Sequence, residues 1–186
     1  QTSSARMSAV CCLQLMENLA STVEVGPSTA ELDEKFPRWR QLFPSFLKCD
    51  EMQRSVARVL CERGLVVLMG GAGTGKSTTL AFVIRFAHIV LGVNMNACAL
   101  TGKAVDRLKQ LFTSEGDENI VCRTLHSQSA SHEPIDALAI DEASMAYPNI
   151  VNKILSKSNV SYLVVCGDDK QLPSIDPGAF LRDVVA

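Results

Sequence analysis

The sequence predicts an α/β protein built on a mainly parallel sheet with helices on both faces. Three observations predict it. From residue 65 onward, apolar runs of strand length alternate with stretches of helical periodicity. The run G-G-A-G-T-G-K-S, Gly70 to Ser77, stands between one such strand and a helix. A second apolar run, A-L-A-I-D-E from Ala137 to Glu142, ends in two carboxylates. With 186 residues, 47% hydrophobic and 20% charged, the chain has the make-up of a folded globular protein with one well-filled core.

Residues 1–48 hold scattered apolar positions, Trp39 and the prolines Pro37 and Pro44, without a motif, and read as a mostly helical and looping N-terminal segment. The α/β domain is expected over 49–186. Its first helix follows from the capping-box spacing of Asp50 and Gln53 and from Met52, Val56, Val59 and Leu60 at helical intervals, with Gly64 as its stop. Leu65 to Met69 is the first strand, and a helix of about Lys76 to Val90 leaves the glycine loop. A strand near Met95 to Leu100 and a helix around Ala104 to Phe112 come next. The remaining strands are Ile120 to Cys122, Ala137 to Ile140 and Val160 to Cys166, with a helix of about Tyr147 to Lys157 between the last two.

Composition excludes several classes. The most apolar segment, Leu80 to Val93, is interrupted by Arg85 and His88 and falls short of the roughly 18 residues of a membrane span, so no membrane role is expected. A net charge of -2 supplies no global field toward nucleic acid, and any such binding has to be local. Seven cysteines without a C-x-x-C pair signal neither a disulfide framework nor a zinc ribbon, which fits a reducing intracellular compartment, cytoplasm or nucleus. Cys122, His126 and His132 lack a fourth ligand at zinc spacing. A chain that begins at Gln1 reads as a processed or excised piece.

The glycine run carries the strongest chemistry. It satisfies G-x-x-x-x-G-K-[ST], a match that arises by chance in a chain this long on the order of once in a hundred, before its strand and helix context is counted. Glycines let backbone N–H groups turn toward phosphate oxygens, and the helix adds the positive end of its dipole. Gly70, Gly71, Ala72, Gly73, Thr74, Gly75, Lys76, Ser77 and Thr78 are therefore the expected nucleotide contacts, with Lys76 on the β- and γ-phosphates and Ser77 on Mg²⁺. Asp141 suits Mg²⁺ binding, and Glu142 suits deprotonation of an attacking water. Further on, V-V-C-G-D-D-K-Q-L ends another strand, and its Gln171 can hydrogen-bond a γ-phosphate or the lytic water as a neutral sensor.

Five stretches in order give the chain a family resemblance: G-G-A-G-T-G-K-S, L-T-G-K-A at Leu100 to Ala104, T-L-H-S at Thr124 to Ser127, I-D-E-A-S-M at Ile140 to Met145, and G-D-D-K-Q-L-P-S at Gly167 to Ser174. Over about Asp50 to Asp183 it resembles the first RecA-like domain of a superfamily 1 DNA helicase of the RecD/Pif group. The resemblance implies a RecA-like P-loop NTPase fold, ATP and Mg²⁺ as cofactors, and translocation on single-stranded DNA, typically 5′ to 3′. It implies catalytic roles for Lys76, Glu142 and Gln171, and nucleic-acid contacts at Thr101, Gly102, Lys103, Thr124 and His126. It makes Gln53 the counterpart of an adenine-contacting glutamine, a reading that stays open beside its capping-box role. It also implies as partners a second RecA-like domain with an arginine finger, expected beyond Ala186, and replication or recombination proteins. Leu100 stands where the family commonly has proline, and the interval from Ser127 to Asp136 is short for the group.

Rival readings fit less well. Asn152-Lys153 is followed by Ile154 and Leu155, so the guanine-reading N-K-x-D is not completed, and a small-molecule kinase has no use for G-D-D-K-Q-L-P-S. A nucleotide-gated DNA- or protein-binding module without significant turnover is the alternative from another class.

Overall fold

The computed structural model describes residues 56–168, apart from 58, 62, 63, 72, 115, 116 and 118. The elements run in the order β1 (Leu65–Met69), α1 (Lys76–Phe86), β2 (Met95–Ala99), α2 (Gly102–Thr113), β3 (Cys122–Thr124), α3 (Leu125–Ala130), β4 (Ala137–Asp141), α4 (Pro148–Leu155) and β5 (Tyr162–Gly167). All pairings are parallel, and the strand order is β1-β5-β4-β2-β3. The expected α/β architecture is thus observed.

Several boundaries differ from the sequence expectation. Residues 56, 57 and 59–61 are helical as expected, but Val59 is exposed. The buried stripe consists of Val56, Ala57, Leu60 and Cys61. Helix α1 ends at Phe86 and widens into a π-turn over Ala87–Leu91, whose cap Gly92 donates its N–H to Ala87 O. Strand β3 lies two residues later than expected, and the short helix α3 after it had no periodicity to announce it.

The sheet sorts its side chains by parity, because successive strand residues point to opposite faces. Val66, Ala97, Ala99, Ala137, Ala139, Val164 and Cys166 share one core with α1 and α2. Cys98, Leu138, Ile140, Leu163 and Val165 share the other with Ile150, Val151 and Ile154 of α4. The first face is paved with alanine at its centre, and the helix against it carries Leu80, Phe82, Val83, Ile84 and Phe86, all buried. Small strand residues thus leave room for large helix residues, so that α1 beds closely on the sheet and its N-terminus is held in one place. Each of those large side chains contributes about 1.5–3 kcal/mol by burial.

Ala139→Leu should therefore lower stability by about 1–3 kcal/mol, since three extra carbons enter a face that is fully closed. A drop in the urea midpoint with an unchanged slope is the expected observation. An unchanged midpoint would show that α1 can retreat at no cost.

Candidate functional site

The strand order decides what meets at the C-terminal edge of the sheet. Strand β1 delivers the glycine loop, β4 delivers Asp141 and Glu142, and β5 runs between them. Continuing along the edge, β2 leads into Thr101, Gly102 and Lys103, and β3 leads into Thr124 and His126. Four strand spacings separate β1 from β3, or about 19 Å.

Within the glycine loop, Gly70, Gly73 (φ 77°) and Gly75 disfavour any side chain. A Cβ on Gly70 would come within 2.8 Å of Thr74 Oγ1, and Gly75, the N-cap of α1, has φ 79°. Thr74 Oγ1 donates to Gly71 O at 2.9 Å and closes the loop on itself. The N–H groups of Lys76, Ser77 and Thr78 precede the first intrahelical bond, Thr79 N–H to Gly75 O at 2.9 Å. These donors and the helix dipole favour an anion at this point. Lys76 Nζ donates to Gly70 O at 2.6 Å and Gly71 O at 2.5 Å, so the ammonium lies across its own loop. Gly70 N–H donates to Gly167 O at 3.3 Å, tying the loop to the end of β5.

Asp141 is buried at the last position of β4, on the alanine face beneath α1 by strand parity. The β4–β5 register runs to Ile140 opposite Val165, which brings Cys166 next to Asp141. Burial pushes the Cys166 thiol well up, the Asp141 carboxylate and then Glu142 push it the same way, and the Lys76 ammonium opposes them. One thiol thus senses three charges of the site. Glu142 N–H donates to Asp141 Oδ1 at 2.9 Å. Glu142 itself has φ 52° and ψ 39°, and among the described residues it is the one non-glycine with positive φ. A left-handed conformation costs a non-glycine residue roughly 1–2 kcal/mol, and here the 3-10 turn Ala143–Met145 holds it.

Thr101 and Thr124 are the N-caps of α2 and α3, accepting from Ala104 N–H at 3.2 Å and Ser127 N–H at 3.1 Å. Ala99 and Thr124 are register partners, so the two caps stand side by side at one edge. Gly102, Lys103 and His126 are exposed there. Gln53, Ala72 and Gln171 lie outside the described residues. Sequence reasoning missed Tyr147, whose hydroxyl meets His126 Nε2 at 2.5 Å. A proline at the first position of α4 marked Tyr147 as an N-cap, but no local signal tied it to a histidine 21 residues earlier. Neither Arg85 nor Arg123 reaches the phosphate loop: Arg85 pairs with Asp117, and Arg123 pairs with Glu133 at 2.8 Å and donates to Ser131 Oγ at 3.2 Å.

A glycine loop from the first strand, opening a helix whose lysine lies over it, with an acidic pair two strands away on the same edge, defines a RecA-like phosphate-loop NTPase domain. The chain belongs to the AAA domain family, whose model matches residues 48–186. It is similar to the RecBCD enzyme subunit RecD of Mycolicibacterium smegmatis, with 30% identity over 73% of this chain and 30% of that protein. It is similar to the ATP-dependent RecD2 DNA helicase of Deinococcus radiodurans, with 37% identity over 69% of this chain and 19% of that protein. A crystal structure of Bacteroides Pif1 bound to ssDNA shares the fold at a TM-score of 0.53 and 23% identity, over 73% of this chain and 35% of that one. The chain therefore spans less than a third of the length of these two curated relatives. The RecD/Pif resemblance carried by the five motifs agrees with all three. Among the described residues no helix is long and apolar enough to cross a membrane.

Proposed function

We propose that this chain is the ATP-binding motor domain of an ATP-dependent DNA helicase, coupling hydrolysis to translocation on single-stranded DNA together with a second RecA-like domain of a longer protein. One observation carries the reading: the glycine loop, the end of β5 and the acidic pair occupy three adjacent strands at one edge, with the Thr101 and Thr124 segments beside them. A nucleotide-driven change at one half of this edge has a short path to the other.

The residues present fit Mg-ATP. Lys76 and the first N–H groups of α1 suit the triphosphate, Ser77 and the buried Asp141 suit Mg²⁺, and Asp141 lies on the α1 side of the sheet. When bound, the metal neutralises phosphate charge and helps orient the phosphoryl group. Glu142 is the group in this chain that accepts the proton of the attacking water. Gln171 serves as the phosphate sensor; it follows by four residues the end of β5, the strand lying between loop and acidic pair. Gln53 contacts adenine. Buried thiols outside any disulfide at Cys61, Cys98 and Cys166 suit a reducing intracellular compartment.

Single-stranded DNA lies along the exposed Lys103 and His126 with the Thr101, Gly102 and Thr124 backbone near it. Among the described residues few cations line this edge, so binding by the chain alone should be weak and its salt slope shallow, about -0.7 per neutralised phosphate. Titrating a labelled oligonucleotide at several salt concentrations measures the slope. Affinity indifferent to salt and to Lys103→Ala would remove this edge as a DNA track. Steady-state ATPase assays with and without single-stranded DNA, on the chain joined to a second RecA-like domain, test the whole reading. ATP binding without DNA-stimulated turnover there would leave a nucleotide-gated binding module instead.

A further inference from the structure

The contact between His126 and Tyr147 joins two elements that the sequence separates. His126 lies in α3, beside the end of β3, and Tyr147 caps α4, five residues after Glu142. Their rings meet edge to face, with centroids 5.8 Å apart and planes at 62°, and Tyr147 Oη is 2.5 Å from His126 Nε2. Other bonds anchor α3 without touching that ring. The buried Asn96 side chain donates to Gln128 Oε1 at 3.0 Å, and Lys157 Nζ donates to Ser129 O at 2.7 Å. Among the described residues Tyr147 is the hydrogen-bond partner of the His126 ring.

Tyr147 is itself well placed to hold another group still. It is half-buried, Pro148 follows it at the first helical position, and its carbonyl accepts Ile150 N–H at 3.2 Å. A phenol is a better donor than acceptor toward a neutral imidazole. With the Tyr147 O–H donated to Nε2, the ring hydrogen resides on Nδ1. In the cationic ring Nε2–H donates to Tyr147 Oη, and Nδ1 again carries a hydrogen. In both states the exposed imidazole offers a donor.

We propose that Tyr147 is a positioning residue of the nucleic-acid edge, holding the His126 ring so that its Nδ1–H is offered to a phosphate oxygen of single-stranded DNA. The proposal rests on the reading of the Thr124–His126 segment as a DNA contact. It makes α4, an element outside the five motifs, part of the DNA-binding apparatus.

The test is a double-mutant cycle on oligonucleotide affinity of the 186-residue chain with Lys103→Ala as a separate probe of the edge. Tyr147→Phe keeps the packed ring and removes only the hydroxyl, and should weaken binding about three- to tenfold, the worth of one hydrogen bond. His126→Ala should weaken it at least as much, and Tyr147→Phe should have no further effect in the His126→Ala background. Nitrogen-15 spectra of the histidine side chains supply a readout that packing alone would not move. The chain has three histidines, and the His126 signals should report hydrogen on Nδ1 in the parent and a shift toward the Nε2-H form in Tyr147→Phe. Unchanged tautomer signals, or equal losses from Tyr147→Phe with and without His126, would overturn the proposal. If Lys103→Ala weakens binding while Tyr147→Phe does not, the edge stands and Tyr147 is excluded from it. If none of the three variants matters, the DNA-edge reading fails and takes this proposal with it.

Discussion

Lys76→Ala should lower the affinity of the chain for Mg-ATP by about a hundredfold or more. The ammonium already lies over the loop, donating at 2.6 and 2.5 Å to Gly70 O and Gly71 O, and it can exchange those carbonyls for phosphate oxygens without leaving the loop. Charge-assisted hydrogen bonds are each worth about 1.5–3 kcal/mol, and two of them to the triphosphate account for that loss. The other donors at the loop, its backbone N–H groups and the hydroxyls of Thr74 and Ser77, are left in place by the substitution. The helix dipole and those N–H groups therefore retain residual binding, and the fold is unaffected. Discrimination among purine triphosphates should be slight in both proteins, because the donors at the loop in the described residues suit phosphates rather than a base. Titration with a fluorescent ATP analogue decides it, and equal affinities would show that this loop is not the phosphate site.

The second large effect concerns turnover. In the chain joined to a second RecA-like domain, Glu142→Gln should reduce DNA-stimulated hydrolysis by about 10²–10⁴ while leaving ATP binding in place. Glutamine matches the volume of glutamate and keeps the turn, but it cannot accept a proton. The left-handed backbone at φ 52° and the Glu142 N–H to Asp141 Oδ1 bond fix where the carboxylate starts from, so the variant alters chemistry more than shape. Without the second domain, hydrolysis should already be feeble, since an arginine supplied to the phosphoryl group contributes about 10³–10⁵ in related enzymes. Arg85 and Arg123 are bound to Asp117 and Glu133 and do not replace it. Full turnover by Glu142→Gln would mean that another group takes the proton. Loss of ATP binding would instead point to a structural role for the carboxylate.

The parts of this fold that could be read beforehand are those written in local chemistry. Buried parallel strands appear as short apolar runs, and β2, β4 and β5 were legible on that ground, as was β1, an apolar run although only its Val66 is buried. The glycine loop was legible because few residue types can adopt its conformations, as Gly70 and Gly75 illustrate. What could not be read depends on neighbours distant in sequence. Helix α3 has six residues, too few for an apolar period, and it is held by a buried Asn96–Gln128 pair that spans 32 positions. The alanines of β2 and β4 gave no hint of which face they would serve until the strands were registered. The left-handed Glu142 is equally silent in sequence, since nothing about a glutamate requests that conformation. Thr101 and Thr124 show a dual use, acting as helix caps at positions where the family resemblance implies nucleic-acid contacts.

The placement of β5 also imposes an order on how the protein comes into being. Within the described residues β1 pairs with β5 alone, and its partner emerges from the ribosome 97 residues later, counting from Leu65 to Tyr162. During synthesis, β2, β3 and β4 can assemble while β1 and its glycine loop wait unpaired. Only the entry of β5 pairs β1 and sets the loop two strands from the acidic pair, so ATP affinity should be withheld from every shorter nascent chain. Such distant pairing is slow to form, because the intervening chain must be closed before any contact rewards it. A growing polypeptide of this kind is exposed longest at the strand that will hold the nucleotide, and that is where a chaperone would be needed. Arrested nascent chains of increasing length should acquire ATP affinity in one step, at the length that frees residue 168 from the exit tunnel.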